Sequence, residues 1–178
     1  MKKVAVFGKP GSGKSTLAKK LAAATGIPLY PLDSIVYTKN GDLVDRETYD
    51  KAHDSILACD SWILDGFGPL GSFNKRLELA DTLIYIDLPY SVSYWLVTKR
   101  LLKGLFIKPE GWPDGSSVLK GSVQSYKTLK LCPKFWNDDF SNKLEKLQES
   151  SANKSLYVIR SLSQLNGFVG NHSQLKRI

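Results

Sequence analysis

A glycine-rich segment near the start of the chain constrains the fold more than any other. Residues 8–15 read Gly-Lys-Pro-Gly-Ser-Gly-Lys-Ser and match the pattern G-x-x-x-x-G-K-[ST], in which backbone N–H groups cradle phosphate oxygens. The apolar run Val4–Phe7 precedes this phosphate loop, and good helix formers with Leu17 and Leu21 on one face follow it. Because the motif requires this order of strand, loop and helix, the sequence predicts a nucleotide triphosphate site.

Residue types in the phosphate loop predict a role for each position. Its glycines let the backbone turn tightly, and a helix that begins near Gly13 adds its positive end. We expect Lys14 to reach the β- and γ-phosphates and the Ser15 hydroxyl to bind Mg²⁺. The nucleotide-binding positions are therefore predicted to be Gly8, Pro10, Gly11, Ser12, Gly13, Lys14, Ser15 and Thr16.

Length and composition predict one globular domain that spans residues 1–178. A chain of 178 residues with 42% apolar composition is large enough for a sizeable core. No apolar run approaches the length needed to cross a bilayer, and the first residues lead into the phosphate loop instead of a cleavable apolar segment. We therefore expect a cytoplasmic location.

The basic charge raises nucleic acid as a partner. The formal net charge is +8, from 25 basic and 17 acidic residues. Twenty of the basic residues are lysines and five are arginines, whereas phosphate and base recognition favours the planar fork of arginine. A kinase that handles polyanionic substrates would also be basic around its cleft, and no nucleic-acid-binding motif accompanies the charge.

Two aspartates follow predicted strands and lie where the carboxyl ends of parallel strands form a ligand crevice. Asp33 follows the strand 27–32, and its carboxylate would orient or deprotonate an acceptor hydroxyl or bind metal through water. The alternative for Asp33 is a helix N-cap beside Ser34. Asp65 follows the buried strand 61–64 and is the expected partner for Mg²⁺ at Ser15, with a turn-forming Asp-Gly pair as the alternative.

Two arginines are candidates for contacts to the transferred or accepting anion. Arg76 falls on a predicted short helix over 74–80 and would clamp the anion of the acceptor, unless it forms an exposed surface ion pair. Arg100 ends a predicted helix over 90–103 and would clamp the transferring phosphoryl group, unless it only pairs with the helix dipole. The broken stretch that follows predicts a possible lid at 104–121.

Further strands and helices alternate along the chain. The segment 81–89 predicts a central strand. The segment 118–149 predicts two helices that are separated near Cys132–Pro133, with Phe135 and Trp136 on the buried side of the second helix. The segment 156–159 predicts a last strand, which a helix over 161–169 follows. Together these elements predict an α/β fold with a doubly wound, mainly parallel five-stranded sheet, a phosphate loop and an irregular lid segment.

Four segments carry a resemblance to a known family: Gly8–Thr16, Tyr30–Asp33, Trp62–Phe67 and Arg76–Asp81 running into the strand that ends at Asp87. The chain resembles, over nearly its whole length, the adenylate-kinase-related proteins labelled DNA topology modulation proteins. The resemblance implies a small P-loop kinase fold that uses ATP and Mg²⁺. It also implies phosphate contacts for Arg76 and Arg100, and a position for Arg160 near the adenine or the phosphates.

One departure from true adenylate kinases bears on the acceptor. Those enzymes read Asp-Gly-Phe-Pro-Arg where this chain reads Asp-Gly-Phe-Gly-Pro at 65–69, and the predicted lid lacks their clustered arginines. Two phosphorylated substrates held close together need dense positive charge. We therefore expect phosphoryl transfer from ATP to a small hydroxyl-bearing acceptor with Asp33 as base, and the rival is a nucleotide-dependent regulatory protein that binds DNA through its basic surface.

Overall fold

A parallel sheet forms the centre of the computed structural model, which describes residues 1–38, 42–104 and 118–172. Within these ranges the sheet has five strands in the spatial order β2-β3-β1-β4-β5, and every pairing is parallel. The strands are β1 (Lys3–Gly8), β2 (Leu29–Pro31), β3 (Trp62–Asp65), β4 (Thr82–Ile86) and β5 (Ser155–Ile159). The predicted α/β class with a five-stranded parallel sheet is confirmed.

Helices cover both faces of the sheet. They are α1 (Lys14–Thr25), α2 (Asp33–Val36), α3 (Arg46–Leu57), α4 (Leu70–Leu79), α5 (Tyr90–Gly104), α6 (Val118–Leu131), α7 (Asp138–Glu149) and α8 (Leu162–His172). Val4 and Val6 of β1 pack with α1 and α8, whereas Ala5 and Phe7 pack with α3, α4 and α7. Because both faces are buried, β1 is apolar without alternation. None of the described helices is long and apolar enough to cross a membrane.

The strand register brings the carboxyl ends of β1, β3 and β4 to the same edge of the sheet. Val6 of β1 lies beside Asp65 of β3, and Gly8 lies beside Ile86 of β4. The strand β2 pairs with β3 alone, which agrees with the edge position expected from its prolines. The phosphate loop therefore leaves β1 between the carboxyl ends of its two neighbours.

Two helix boundaries differ from the predictions. Helix α4 begins at Leu70 instead of residue 74, because the complete burial of Phe73 in the core offsets the poor helix propensity of Gly71. Phe135 and Trp136 pack against the core as expected, but they precede α7, whose first turn is capped by the Asn137 side chain.

The predicted helix break near Cys132–Pro133 is confirmed, because α6 ends at Leu131 and a 3₁₀ turn covers Cys132–Lys134. Most of the predicted lid at 104–121 lies outside the described residues, which resume at Val118.

Close packing of α5 on the phosphate loop explains one of the motif glycines. Gly11 has a φ of +72°, and a Cβ atom there would lie 2.6 Å from Val97 Cγ2 and 2.8 Å from the Ser93 carbonyl oxygen. Only a residue without a side chain permits this approach. The loop is thus held against α5 as well as between β1 and α1.

Gly11→Ala should lose more stability than Gly26→Ala. Gly26 has a similar φ of +75°, but apart from its own local backbone no described residue places an atom within 4 Å of the position that a Cβ would take. Substitution of Gly26 therefore costs only the left-handed backbone penalty of about 1–2 kcal/mol. Gly11→Ala adds overpacking of about 1–3 kcal/mol. Chemical denaturation of both variants measures the difference, and equal losses would contradict the packing of α5 on the loop.

His53 of α3 is buried, and its ring nitrogens make no hydrogen bond to the described residues. Its side chain is 1% exposed and stacks on Tyr49 at 5.6 Å between ring centroids. Burial is the main reason that the pKa of His53 falls from 6.5 to about 4, and the charge of Arg76 lowers it further.

The stability of the protein should therefore fall as the pH drops through the interval between the two pKa values. Below pH 6.5 His53 becomes protonated in the unfolded chain, whereas in the folded chain it stays neutral until the pH falls to about 4. This difference lowers the free energy of unfolding by up to about 3 kcal/mol. His53→Phe keeps the ring stack and should remove this component of the pH dependence in urea titrations; an unchanged pH slope would contradict the assignment.

Candidate active site

The phosphate loop and the start of α1 form a cradle for an anion. Gly13, with a φ of +83°, is the residue that precedes α1, and no side chain caps the first turn of this helix. The first turn also contains no acidic residue. Its backbone N–H groups and positive helix end are therefore available to an anion above the loop, as the motif predicts.

Lys14 projects back along the loop from the first turn of α1. Its Nζ donates a hydrogen bond of 3.0 Å to the Lys9 carbonyl oxygen. Burial lowers the pKa of Lys14, and the carboxylates of Asp65 and Asp33 oppose that shift. These two aspartates thus favour the charged ammonium that a phosphate contact requires.

Ser15 and Asp65 meet beside the loop. Asp65 is 7% exposed at the end of β3, and its carboxylate oxygen Oδ1 is buried with no hydrogen-bond partner among the described residues. Burial raises the pKa of Asp65, and the Lys14 charge and then the nearby Ser15 hydroxyl oppose this rise. A hydroxyl and a carboxylate with a spare oxygen are hard oxygen donors, so the pair fits Mg²⁺.

Asp33 lies on the exposed surface of the same edge. It is the first residue of α2, and the preceding cap position is Leu32, which makes no side-chain cap. The alternative prediction of Asp33 as a helix N-cap is therefore wrong. Its carboxylate raises the pKa of both Lys14 and Arg100, which places it in the electrostatic environment of both cations.

Arg100 joins this group from α5. The half-buried guanidinium donates a hydrogen bond of 2.7 Å from Nη2 to Ser125 Oγ on α6. Burial lowers the pKa of Arg100, and Asp33 opposes the shift. Arg100 also lowers the pKa of Lys14, although less than burial does. The structure therefore brings Lys14, Asp33, Asp65 and Arg100 into one group of interacting charges.

Arg76 lies behind the site and is completely buried. Its Nη2 donates hydrogen bonds of 2.8 Å to the Gly66 carbonyl and 2.9 Å to the Phe67 carbonyl. The alternative of an exposed arginine in a surface ion pair is therefore wrong. Burial lowers the pKa of Arg76 to about 10, while Tyr49 and then Asp65 act in the opposite direction. Its role as an anion clamp stays a prediction, and the observed contacts support the backbone that follows Asp65.

Arg160 is exposed immediately after β5. Its backbone N–H donates to Gln164 Oε1 at the start of α8. A Cβ at Gly13 would lie 3.0 Å from Leu165 Cδ2, so α8 borders the phosphate loop. The position of Arg160 at the carboxyl end of its strand is compatible with a nucleotide contact, which stays a prediction.

Two charged residues at the site were not predicted from the sequence. Lys9, inside the phosphate loop, is 2% exposed, forms an ion pair with Asp87 beyond the end of β4, and lies 4.7 Å from the centre of the Tyr90 ring. The signal was present, since opposite charges at the ends of two neighbouring parallel strands are placed at the same edge.

Comparisons with known proteins identify the fold. No protein-family model matches the chain, and no curated protein sequence matches it significantly, so the resemblance to DNA topology modulation proteins stays a prediction. A shikimate kinase from Acinetobacter baumannii, solved with shikimate, superposes with a TM-score of 0.56 at 14% identity and covers 100% of this chain and 96% of its own. A shikimate kinase from Bacteroides thetaiotaomicron superposes with a TM-score of 0.55 at 13% identity, with 98% of both chains covered.

At these identities the likeness extends to architecture. Both chains are covered almost completely in each superposition. The chain, with its five-stranded parallel sheet, therefore shares the fold of these two shikimate kinases.

Proposed function

We propose that this protein transfers the γ-phosphoryl group of ATP, in a Mg²⁺-dependent reaction, to a hydroxyl of a small acceptor. The observation that carries the proposal is the grouping of Lys14, the neighbouring pair Ser15–Asp65, Asp33 and Arg100 at the carboxyl edge of the sheet. This set contains a cation for the phosphates, donors for a metal, a carboxylate for the acceptor and a second cation for developing charge.

Each group has a distinct task in this reaction. Lys14 and the loop amides would bind the β- and γ-phosphates, and Ser15 and Asp65 would hold Mg²⁺. The metal would neutralise phosphate charge during transfer. Asp33 would orient the acceptor hydroxyl and accept its proton. The acceptor oxygen then forms the new bond to phosphorus, the bond to the bridging oxygen breaks, and ADP leaves.

Charge around the site supports a hydroxyl-bearing acceptor over a nucleoside monophosphate. Arg76 is completely buried, with its Nη2 bonded to two backbone carbonyls, and the charge of the buried Lys9 is paired with Asp87, so neither cation is exposed to a second phosphate. Arg100 already donates one hydrogen bond to the Ser125 hydroxyl. The Acinetobacter neighbour, a shikimate kinase solved with shikimate, supports a small acceptor on this fold.

A panel of acceptors tests the proposal most directly. ADP production from Mg·ATP should rise sharply with one member of a panel of polyols, hydroxy acids, sugars and nucleoside monophosphates. With that acceptor, Asp33→Asn should lower kcat by about a hundredfold or more, because it removes the proton acceptor, while the KM for ATP changes little. Asp42→Asn, at an exposed aspartate, is the matched control.

The same panel can reject the proposal. If no acceptor raises ADP production, while DNA binding depends on ATP and weakens steeply with salt, the protein is a nucleotide-dependent regulator that binds DNA and not a phosphotransferase. Full activity of Asp33→Asn would instead remove Asp33 from the reaction.

Asp65→Asn should raise the Mg²⁺ concentration needed for half-maximal nucleotide turnover by about tenfold or more, because an amide is a weaker metal ligand than a carboxylate. The exposed Asp60→Asn is the control. Titration of Mg²⁺ at saturating ATP measures the effect, and identical Mg²⁺ curves for Asp65→Asn and the wild type would contradict the metal assignment.

A further inference from the structure

We propose that Lys9 is a positioning residue of the phosphate loop, which acts through its ion pair with Asp87 to hold the loop in the form that binds nucleotide. The inference rests on the nucleotide site of the proposed function. It assigns roles to a lysine outside the motif's required positions and to an aspartate that follows a different strand, β4.

The Lys9 side chain ties the loop to the neighbouring strand and helix. It leaves the loop, pairs with Asp87 after β4, and lies over the ring of Tyr90 at the first residue of α5. Burial raises the pKa of Tyr85, and the nearby Asp87 carboxylate raises it further. Because Lys9 is only 2% exposed, its ammonium has little access to water, and these partners replace its hydration.

The main chain of Lys9 links this anchor to Lys14. The Lys9 carbonyl oxygen accepts a hydrogen bond of 3.3 Å from the Ser12 N–H and one of 3.0 Å from Lys14 Nζ. A fixed Lys9 side chain therefore fixes the direction of the carbonyl that closes the loop and receives the motif lysine. Loss of the anchor would let the carbonyl rotate and would misplace both the loop amides and Lys14.

The balance of charge favours a geometric role over direct attraction of the nucleotide. Lys9 and Asp87 carry opposite charges in direct contact, so their fields largely cancel at the distance of the phosphates. If Lys9 served mainly as an attracting cation, Asp87 would weaken nucleotide binding, and its removal would strengthen it. A positioning role predicts the reverse sign, because removal of Asp87 releases the anchor.

The sign of the Asp87→Asn effect is thus the central test. Binding of Mg·ATP by calorimetry, without acceptor, should weaken by about tenfold or more in both Lys9→Met and Asp87→Asn, as expected for misplaced binding groups. The double variant should bind no more weakly than the worse single variant, since both act through one contact. Lys9→Arg, which can still pair with Asp87, should restore most of the affinity.

Matched controls come from the exposed ion pair between Lys75 and Asp54, whose side chains are about half exposed. Lys75→Met and Asp54→Asn should leave nucleotide affinity unchanged. Chemical denaturation of every variant shows whether it is folded under the assay conditions. A purely structural role would lower stability without changing the affinity of the folded protein.

Four results would overturn the proposal. Tighter binding by Asp87→Asn would make Lys9 an attracting cation, and wild-type affinity in both folded single variants would give the ion pair no role in binding. Failure of the wild type to bind Mg·ATP would reject the proposed function itself and the positioning role with it. A defect in acceptor phosphorylation alone, with normal nucleotide affinity in Lys9→Met, would reject the positioning role and leave the proposed function intact.

Discussion

Parallel pairing of β1 with β3 on one side and β4 on the other is the constraint on which the site depends. This pairing sets the end of β1 beside Asp65 and brings the start of the phosphate loop beside the end of β4. The loop then passes close under α5 at Gly11. A shift of one residue in either register would move Asp65 away from Ser15 or Asp87 away from Lys9.

Partial burial gives the site its electrostatic character. Burial lowers the pKa of Lys14 and raises the pKa of Asp65, and each charge opposes the shift of the other. The neighbouring charge therefore offsets part of the cost that burial imposes on the charged form of each group. Because these side chains are already desolvated, little water has to be removed from them when a polyanion binds. Such preorganised groups are the ones that stabilise a transferring phosphoryl group electrostatically.

Local sequence signals predicted the main elements, and tertiary packing decided their limits. The apolar runs of β1, β3 and β4 and the helix break before Pro133 are local features, so their predictions are confirmed. The start of α4 was predicted four residues late, because Gly71 lowers helix propensity and only the burial of Phe73 compensates for it. Asp33 follows a strand as expected, yet it is not the cap of α2.

The sequence by itself determined that the chain has a phosphate loop between a strand and a helix, and that Asp33 and Asp65 lie at or just beyond the ends of strands, because these relations involve residues close together in the chain. Only the tertiary structure decided that Arg76 is enclosed beneath Gly66 and Phe67, and that Lys9 pairs with Asp87 across 78 positions of sequence. Contacts of that kind depend on strand order, register and burial, and these are properties of the assembled sheet that no local pattern encodes.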